Sequence, residues 1–125
     1  MKSILFIICI ALFLLPACVQ KAYKKTIIIT LEVKGKKDIE TVGIRGGGGP
    51  LSWDEDYPLQ AIVKDSLYGT TIQWVTGYGS GEVKFTVNGD WELKEKPNRV
   101  VKLGKGADTV YYKAVFGEND PSPNK

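Results

Sequence analysis

The sequence predicts an all-β protein, built as an immunoglobulin-like antiparallel β-sandwich of about seven short strands. Two observations support this fold class. Apolar and polar residues alternate along segments such as Thr26 to Val33 and Val83 to Val87, which is the period of a half-buried strand. Clusters of glycine, proline and asparagine separate the segments, and no segment has the apolar spacing of an amphipathic helix. A small open barrel is the alternative architecture.

The first strand is predicted from Thr26 to Val33, where Ile27, Ile29 and Leu31 fall on one face together with Val33. Charged residues around a glycine then indicate a turn. A second short extended segment runs from Thr41 to Arg45. It leads into four consecutive glycines and a proline, which indicate a loop.

The middle of the chain predicts a β-hairpin. Tyr68, Thr70, Ile72 and Trp74 alternate with small or polar residues, and a glycine-rich turn at 77–81 leads into a strand from Glu82 to Val87. Trp74 is in phase with Ile72, so we expect its ring in the core.

The last third of the chain predicts two more strands and a tail. Asn88 and Gly89 can supply the positive φ angles of a tight two-residue turn. Val100 to Leu103 and Val110 to Phe116 complete the set of strands, so the β-sandwich is predicted over 26–116. Residues 117–125 are polar and predict a C-terminal tail.

The N-terminus has the layout of a secretory signal. Lys2 precedes an apolar run from Ile4 to Leu15, and a small residue, Ala17, stands directly before Cys18. The run is shorter than the roughly 20 apolar residues that span a bilayer, so we do not expect a permanent transmembrane helix.

The tetrapeptide Leu15-Pro16-Ala17-Cys18 resembles the lipobox of bacterial lipoproteins. The resemblance implies that residues 1–17 form a signal peptide that is removed. It also implies that Cys18 carries lipid and anchors the protein in the bacterial cell envelope. Position 19 is Val rather than Asp, and by resemblance to Gram-negative lipoproteins this implies the outer membrane as the location. A signal peptide cleaved after Ala17 without lipidation is the alternative.

Residues 18–25 are expected to form a lipidated tether between the anchor and the domain. Lys21, Lys24 and Lys25 would be solvated there or would meet lipid phosphates.

Composition excludes several functions for the exported domain. The chain has no histidine, which removes Ser-His-Asp and Cys-His catalysis and the commonest zinc ligand. Cys9 leaves with the signal peptide and Cys18 would carry lipid, so the domain has no free thiol. The net charge of +3 is too small for a nucleic-acid footprint. We therefore expect no enzyme activity, no cofactor, no metal and no nucleic-acid partner.

An acidic run at Asp54, Glu55 and Asp56 admits an alternative interpretation, as a calcium site or a glycosidase carboxylate pair. Neighbouring residues on a loop rarely reach the geometry that either role needs, and a domain of this size has little room for a supported cleft.

Two clusters of residues resemble starch-binding β-sandwich modules. The first runs from Val42-Gly43-Ile44-Arg45 to Leu51-Ser52-Trp53-Asp54, and the second from Val83-Lys84-Phe85 through Trp91-Glu92 to Pro97-Asn98-Arg99. The related glycogen-binding modules are similar to the segment from Val83 to Trp91. The resemblance extends over roughly 26–116.

The resemblance implies a surface site for an α-glucan. By matched position, Trp53 and Trp91 would be aromatic platforms, and Lys84, Glu92 and Asn98 would be polar contacts to sugar hydroxyls. The chain departs from the family pattern at Leu93-Lys94-Glu95-Lys96, which is extra length between Trp91 and Pro97. It also lacks the glycine usual before Trp53.

The expected function is therefore non-catalytic glycan binding by a membrane-anchored lipoprotein. A surface scaffold that keeps the sandwich, has lost sugar binding and contacts a protein partner is the alternative, and the extra length after Trp91 motivates it.

Overall fold

A computed structural model describes residues 21–106 and 108–120 of the 125-residue chain. The predicted signal peptide and Cys18 lie outside the described residues. Within the described part, all regular structure is strand: β1 (Tyr23–Glu32), β2 (Val42–Gly46), β3 (Tyr57–Pro58), β4 (Gln60–Val63), β5 (Leu67–Thr76), β6 (Ser80–Val87), β7 (Asp90–Trp91), β8 (Arg99–Lys102) and β9 (Thr109–Val115). No helix in these two stretches is long and apolar enough to cross a membrane.

The strands form two sheets that face each other across the core. The first sheet has the order β4-β5-β1-β9, and the second has the order β3-β2-β6-β7, with β8 also paired to β6. All pairs are antiparallel except β1 with β9, which run parallel. The predicted all-β sandwich is confirmed. The short strands β3, β4 and β7 were not placed from the sequence, and β1 with β9 is a parallel pair.

The core consists of the inward positions of both sheets, as the period of two requires. From the first sheet it includes Ile27, Ile29 and Leu31, and from the second it includes Ile44 and Phe85, all of them at most 2% exposed. The predicted faces of β1 and β6 are therefore confirmed. The tight turn at Asn88 and Gly89 is also confirmed, with φ angles of 50° and 80°.

The predicted hairpin between β5 and β6 is wrong, because the two strands belong to different sheets. The turn at 77–79 carries the chain from one sheet to the other. Trp74 of β5 is buried, as predicted, and its indole packs against the backbone of Gly49 and Gly81. A Cβ on Gly49 would lie 2.5 Å from Trp74 Cδ1, so glycine here lets the two layers approach around the indole.

Both predicted boundaries of the sandwich are too narrow. β1 begins at Tyr23, inside the predicted tether 18–25, and Lys25 is only 1% exposed instead of being solvated. At the other end, the first residues of the predicted tail are docked: Gly117 N donates to Glu92 Oε1, and Asp120 Oδ1 accepts a bond from Arg99 Nη1. Long-range polar contacts of this kind leave no periodic signal in the sequence.

Candidate functional site

The candidate site lies on the outer face of the second sheet. Opposite residues in antiparallel strands project to the same side, so strand register identifies this face. Gly43 pairs with Thr86 and Arg45 pairs with Lys84 across β2 and β6, while Thr86 pairs with Trp91 across β6 and β7. The predicted outward phase of Lys84 is therefore confirmed.

Trp53 reaches this face from the loop between β2 and β3. Its ring centroid is 6.3 Å from that of Trp91, and the two ring planes are inclined by 38°. Trp53 is 37% exposed and Trp91 is half-buried. The two predicted platform residues are thus brought together at the surface of the sheet.

Arg45 holds the two tryptophans in place. Its Nε donates to Asp56 Oδ1 at 2.7 Å, and its Nη1 donates to the carbonyl oxygen of Trp53 at 3.2 Å. The guanidinium carbon lies 4.8 Å from the centroid of the Trp91 ring, within the range of a cation–π contact. Arg45 therefore connects the loop that carries Trp53 to the ring of Trp91 on β7.

Asp56 completes this arrangement from the same loop. Its Oδ1 also accepts a hydrogen bond from Thr86 Oγ1 at 2.9 Å. A Cβ on Gly43 would lie 2.5 Å from Asp56 Cγ, so the carboxylate can sit on the sheet only because residue 43 has no side chain. We refer to Arg45, Trp53, Asp56, Thr86 and Trp91 as the tryptophan cluster.

Sequence reasoning missed the structural roles of Arg45 and Asp56. Arg45 belongs to the first motif cluster, and Asp56 was considered only within the acidic run. In the structure Asp56 is paired with Arg45. Among residues 21–106 and 108–120, no three acidic, cysteine or histidine side chains form a group that could hold a metal ion.

Lys84 lies beside the tryptophan cluster on β6. Its Nζ donates to the carbonyl oxygen of Lys96 at 2.9 Å. An ammonium group has three donors, so this contact fixes the side chain without using up its hydrogen-bonding capacity.

Asn98 lies further along the same strip of the sheet. It is half-buried, and its Nδ2 donates to Glu82 Oε2 at 3.4 Å. Glu82 is two residues before Lys84 on β6 and projects to the same face. The extra residues after Trp91 form a tight turn, in which Lys96 N donates to Leu93 O, and Asn98 consequently remains next to the sheet.

Glu92 is a correction to the predicted site. It is 2% exposed, and its carboxylate binds Arg99 through two hydrogen bonds of 2.7 Å. The same carboxylate accepts bonds from the backbone N–H groups of Phe85 and Gly117. Its oxygens are occupied in the interior, so Glu92 is not available to a ligand on the surface.

The candidate site forms a strip along β6. The tryptophan cluster lies near Thr86, Lys84 is in the middle, and Glu82 with Asn98 is at the other end. At about 3.3 Å per residue, the four steps from Glu82 to Thr86 span roughly 13 Å. Charges of both signs line this strip, with Arg45 and Lys84 balanced by Asp56 and Glu82.

No protein-family model matches the chain, and no curated protein is significantly similar to it.

Proposed function

We propose that this protein is a non-catalytic glycan-binding lipoprotein whose ligand is an α-glucan. The observation that supports this most directly is the meeting of Trp53 and Trp91 on the outer face of the sheet. A pyranose ring has C–H groups on one face and hydroxyls around its rim. A flat indole can stack on the C–H face, and polar side chains can form hydrogen bonds with the rim hydroxyls.

The geometry of the two rings favours a curved glycan. Successive sugars of an α-glucan turn relative to each other, whereas the sugars of a flat β-linked chain present nearly parallel faces. The 38° inclination of the two indoles fits the turning sugars of an α-glucan better than the parallel faces of a β-linked chain. Arg45 sets the position of Trp91, and Lys84 and Asn98 extend the strip with polar groups.

Isothermal titration of the mature protein in detergent with maltoheptaose tests this proposal. We expect weak, saturable binding, and weaker binding of a cellulose oligosaccharide of similar length. Replacing one platform, by Trp53→Ala or Trp91→Ala, should weaken binding by about tenfold, equivalent to about 1.4 kcal/mol.

Tyr111→Ala is the matched control, because Tyr111 is an aromatic residue that is 70% exposed on the other sheet. This variant should bind like the unmodified protein. Undiminished binding by the Trp53→Ala, Trp91→Ala double variant would rule out the tryptophan cluster as the site.

We propose lipid anchoring on the basis of the sequence around Cys18 alone, with the outer membrane as the location. Mass spectrometry of the N-terminal peptide from bacterial membranes tests it. The expected mass is that of an acylated Cys18, and a Cys18→Ser variant should lack the modification. An unmodified N-terminus at Cys18 would contradict the anchor.

A second candidate function is binding of a protein partner. A groove of about 840 Å³ lies between β8 and β9, and its lining includes Leu93 and Lys96 from the extra segment. Exposed apolar or aromatic side chains, Val100 and Tyr111, also line it. Cross-linking from this groove to one cell-surface protein, together with no binding on a glycan array, would favour this function over the first.

A further inference from the structure

Lys25 is a buried cation at one end of the sandwich. The residue is 1% exposed, although it lies only two positions after the start of β1. Its Nζ donates to the carbonyl oxygens of Leu103 and Gly104, at 3.2 and 2.6 Å. These two contacts use two of the three donors of the ammonium group.

No side-chain carboxylate in 21–106 or 108–120 forms an ion pair with this ammonium group. All 14 acidic residues of the sequence lie in the two described stretches. None of their oxygens is within 4.0 Å of Lys25 Nζ, since the ion pairs of the described residues involve only Arg45, Lys64 and Arg99. A buried charge without a counter-charge is costly, and carbonyl dipoles offset only part of that cost.

Lys25 also lines a cavity of about 410 Å³ that is open to solvent. Its walls are Tyr23 from β1, Gly77 and Gly79 from the turn between β5 and β6, and 104–106 from the loop between β8 and β9. We refer to this cavity as the Lys25 cleft. The loop contributes a second ammonium group, that of Lys105. A Cβ on Gly79 or Gly106 would meet no heavy atom within 4 Å, whereas one on Gly104 would lie 3.6 Å from Asp108 Oδ2.

We propose that the Lys25 cleft binds the phosphate group of a ligand. An oxyanion there would supply the missing counter-charge. It could accept a hydrogen bond from the third N–H of Lys25 and a charge-assisted hydrogen bond from Lys105. The cavity is more than tenfold larger than the roughly 30 Å³ that one water occupies in the liquid, so it can hold a phosphate with part of the molecule that carries it.

The position of the cleft indicates two sources for such a phosphate. Tyr23 is five residues after Cys18, and five extended residues span at most about 18 Å. If Cys18 is lipidated, as proposed above, the cleft is within this distance of lipid headgroups. A soluble phosphate compound is the other source, and it does not depend on the anchor.

The first experiment is a titration of the detergent-solubilised protein with inorganic phosphate, followed by NMR of the backbone amides. Sodium chloride at equal ionic strength is the reference. We expect saturable shifts in the millimolar range at Gly79 and 104–106, where the cleft has its backbone groups. No saturable shift of these amides would overturn the proposal.

Two lysine variants separate the buried charge from general surface charge. Lys25→Met keeps the stem and removes the charge, and it should weaken phosphate binding by about tenfold or more. Lys24→Met removes an exposed charge from the neighbouring position and should leave binding unchanged. Equal binding by all three proteins would overturn the proposal. If Lys25→Met does not fold, Lys105→Met replaces it, and undiminished binding by that variant would count against the site.

The second experiment distinguishes the two sources. The protein is reconstituted in vesicles of phosphatidylcholine alone or mixed with phosphatidylglycerol, and amide hydrogen exchange is measured at 77–79 and 104–106. Protection that depends on both phosphatidylglycerol and Lys25 assigns the cleft to a lipid headgroup. Phosphate binding without such protection assigns it to a soluble compound. Because inorganic phosphate binds without any anchor, a failure of the lipid arm alone would leave the cleft intact and count against the anchored geometry.

Discussion

Gly43 shows how one missing side chain decides the geometry of the candidate site. The Asp56 carboxylate occupies the space over Gly43, where it binds both Arg45 and Thr86. Arg45 in turn binds the Trp53 backbone and lies over the Trp91 ring. A methyl group at residue 43 would displace the carboxylate and loosen this chain of contacts.

We therefore expect Gly43→Ala to lower the free energy of unfolding by about 1–3 kcal/mol, because the added carbon overpacks a filled space. Urea denaturation measures this change. Binding of maltoheptaose should weaken at the same time, since the two tryptophans lose their common support. Gly79→Ala is the control, because its Cβ would meet nothing within 4 Å, and it should change neither quantity. Unchanged stability of Gly43→Ala would contradict the described position of Asp56.

Glu92 shows the opposite case, in which a residue in a ligand motif has an interior role. The resemblance to starch-binding modules implied that Glu92 contacts sugar, and its neighbour Trp91 does lie at the surface. Alternation along a strand puts neighbours on opposite faces, so an outward Trp91 is consistent with an inward Glu92. The carboxylate can be buried there because Arg99 supplies its counter-charge.

At the scale of elements, Arg99 joins the end of the chain to the second sheet. The guanidinium group of this β8 residue binds the carbonyl oxygens of Val115 and Glu118 and the carboxylate of Asp120, in addition to Glu92. Asp120 also accepts a hydrogen bond from the hydroxyl of Tyr112 on β9. The segment after β9 is therefore a structural element that links the edge strands of the two sheets.

Burial, and then the neighbouring carboxylate of Asp120, raise the pKa of Tyr112 above its usual value of about 10. The folded state holds this proton more tightly than the unfolded chain does. The resulting stability is complete below pH about 10 and is lost as the pH rises through the pKa of the folded state. We expect the free energy of unfolding to fall in this alkaline range.

Urea denaturation at a series of pH values checks this prediction. Tyr112→Phe should reduce the alkaline loss of stability, since the ionising hydroxyl is gone. Tyr111→Phe, on the exposed side of the same strand, is the control for removal of a tyrosine hydroxyl. The same alkaline slope in Tyr112→Phe and in the unmodified protein would contradict the linkage.

At the scale of the whole molecule, stability is expected to concentrate in the central strands. β1 is paired on both sides, with β5 and β9, and its inward residues Ile27, Ile29 and Leu31 are fully buried. β4 is an edge strand whose four residues are all exposed.

Amide hydrogen exchange should therefore be slowest in β1 and fastest, among the strands, in β4. β6 occupies the central position in the other sheet, and its amides report whether the two sheets open together. Equal rates in β1 and β6 would indicate one cooperative unit. Protection of β4 equal to that of β1 would contradict the described topology.

Local pattern alone determined which apolar residues of β1, β5 and β6 face the core. The alternation in 26–33 and 83–87, the burial of Trp74, the outward phase of Lys84 and the turn at Asn88 all follow from the period of a strand or from the φ angles of single residues. These properties depend on neighbours in the sequence, so they can be read without knowledge of the partner strand. The meeting of Trp53 with Trp91 was an expectation from motif resemblance, and the structure brings the two rings together.

Tertiary structure decided which strands pair and which polar groups are buried. β5 and β6 are joined by a short glycine turn, yet they belong to different sheets, and the Trp74 indole packs against Gly49 and Gly81. Lys25 and Glu92 are buried because their partners, the carbonyls of Leu103 and Gly104 and the guanidinium of Arg99, come from distant strands or loops. The cost of burying a charge is offset only by groups that folding brings together, and no local pattern of residues records them.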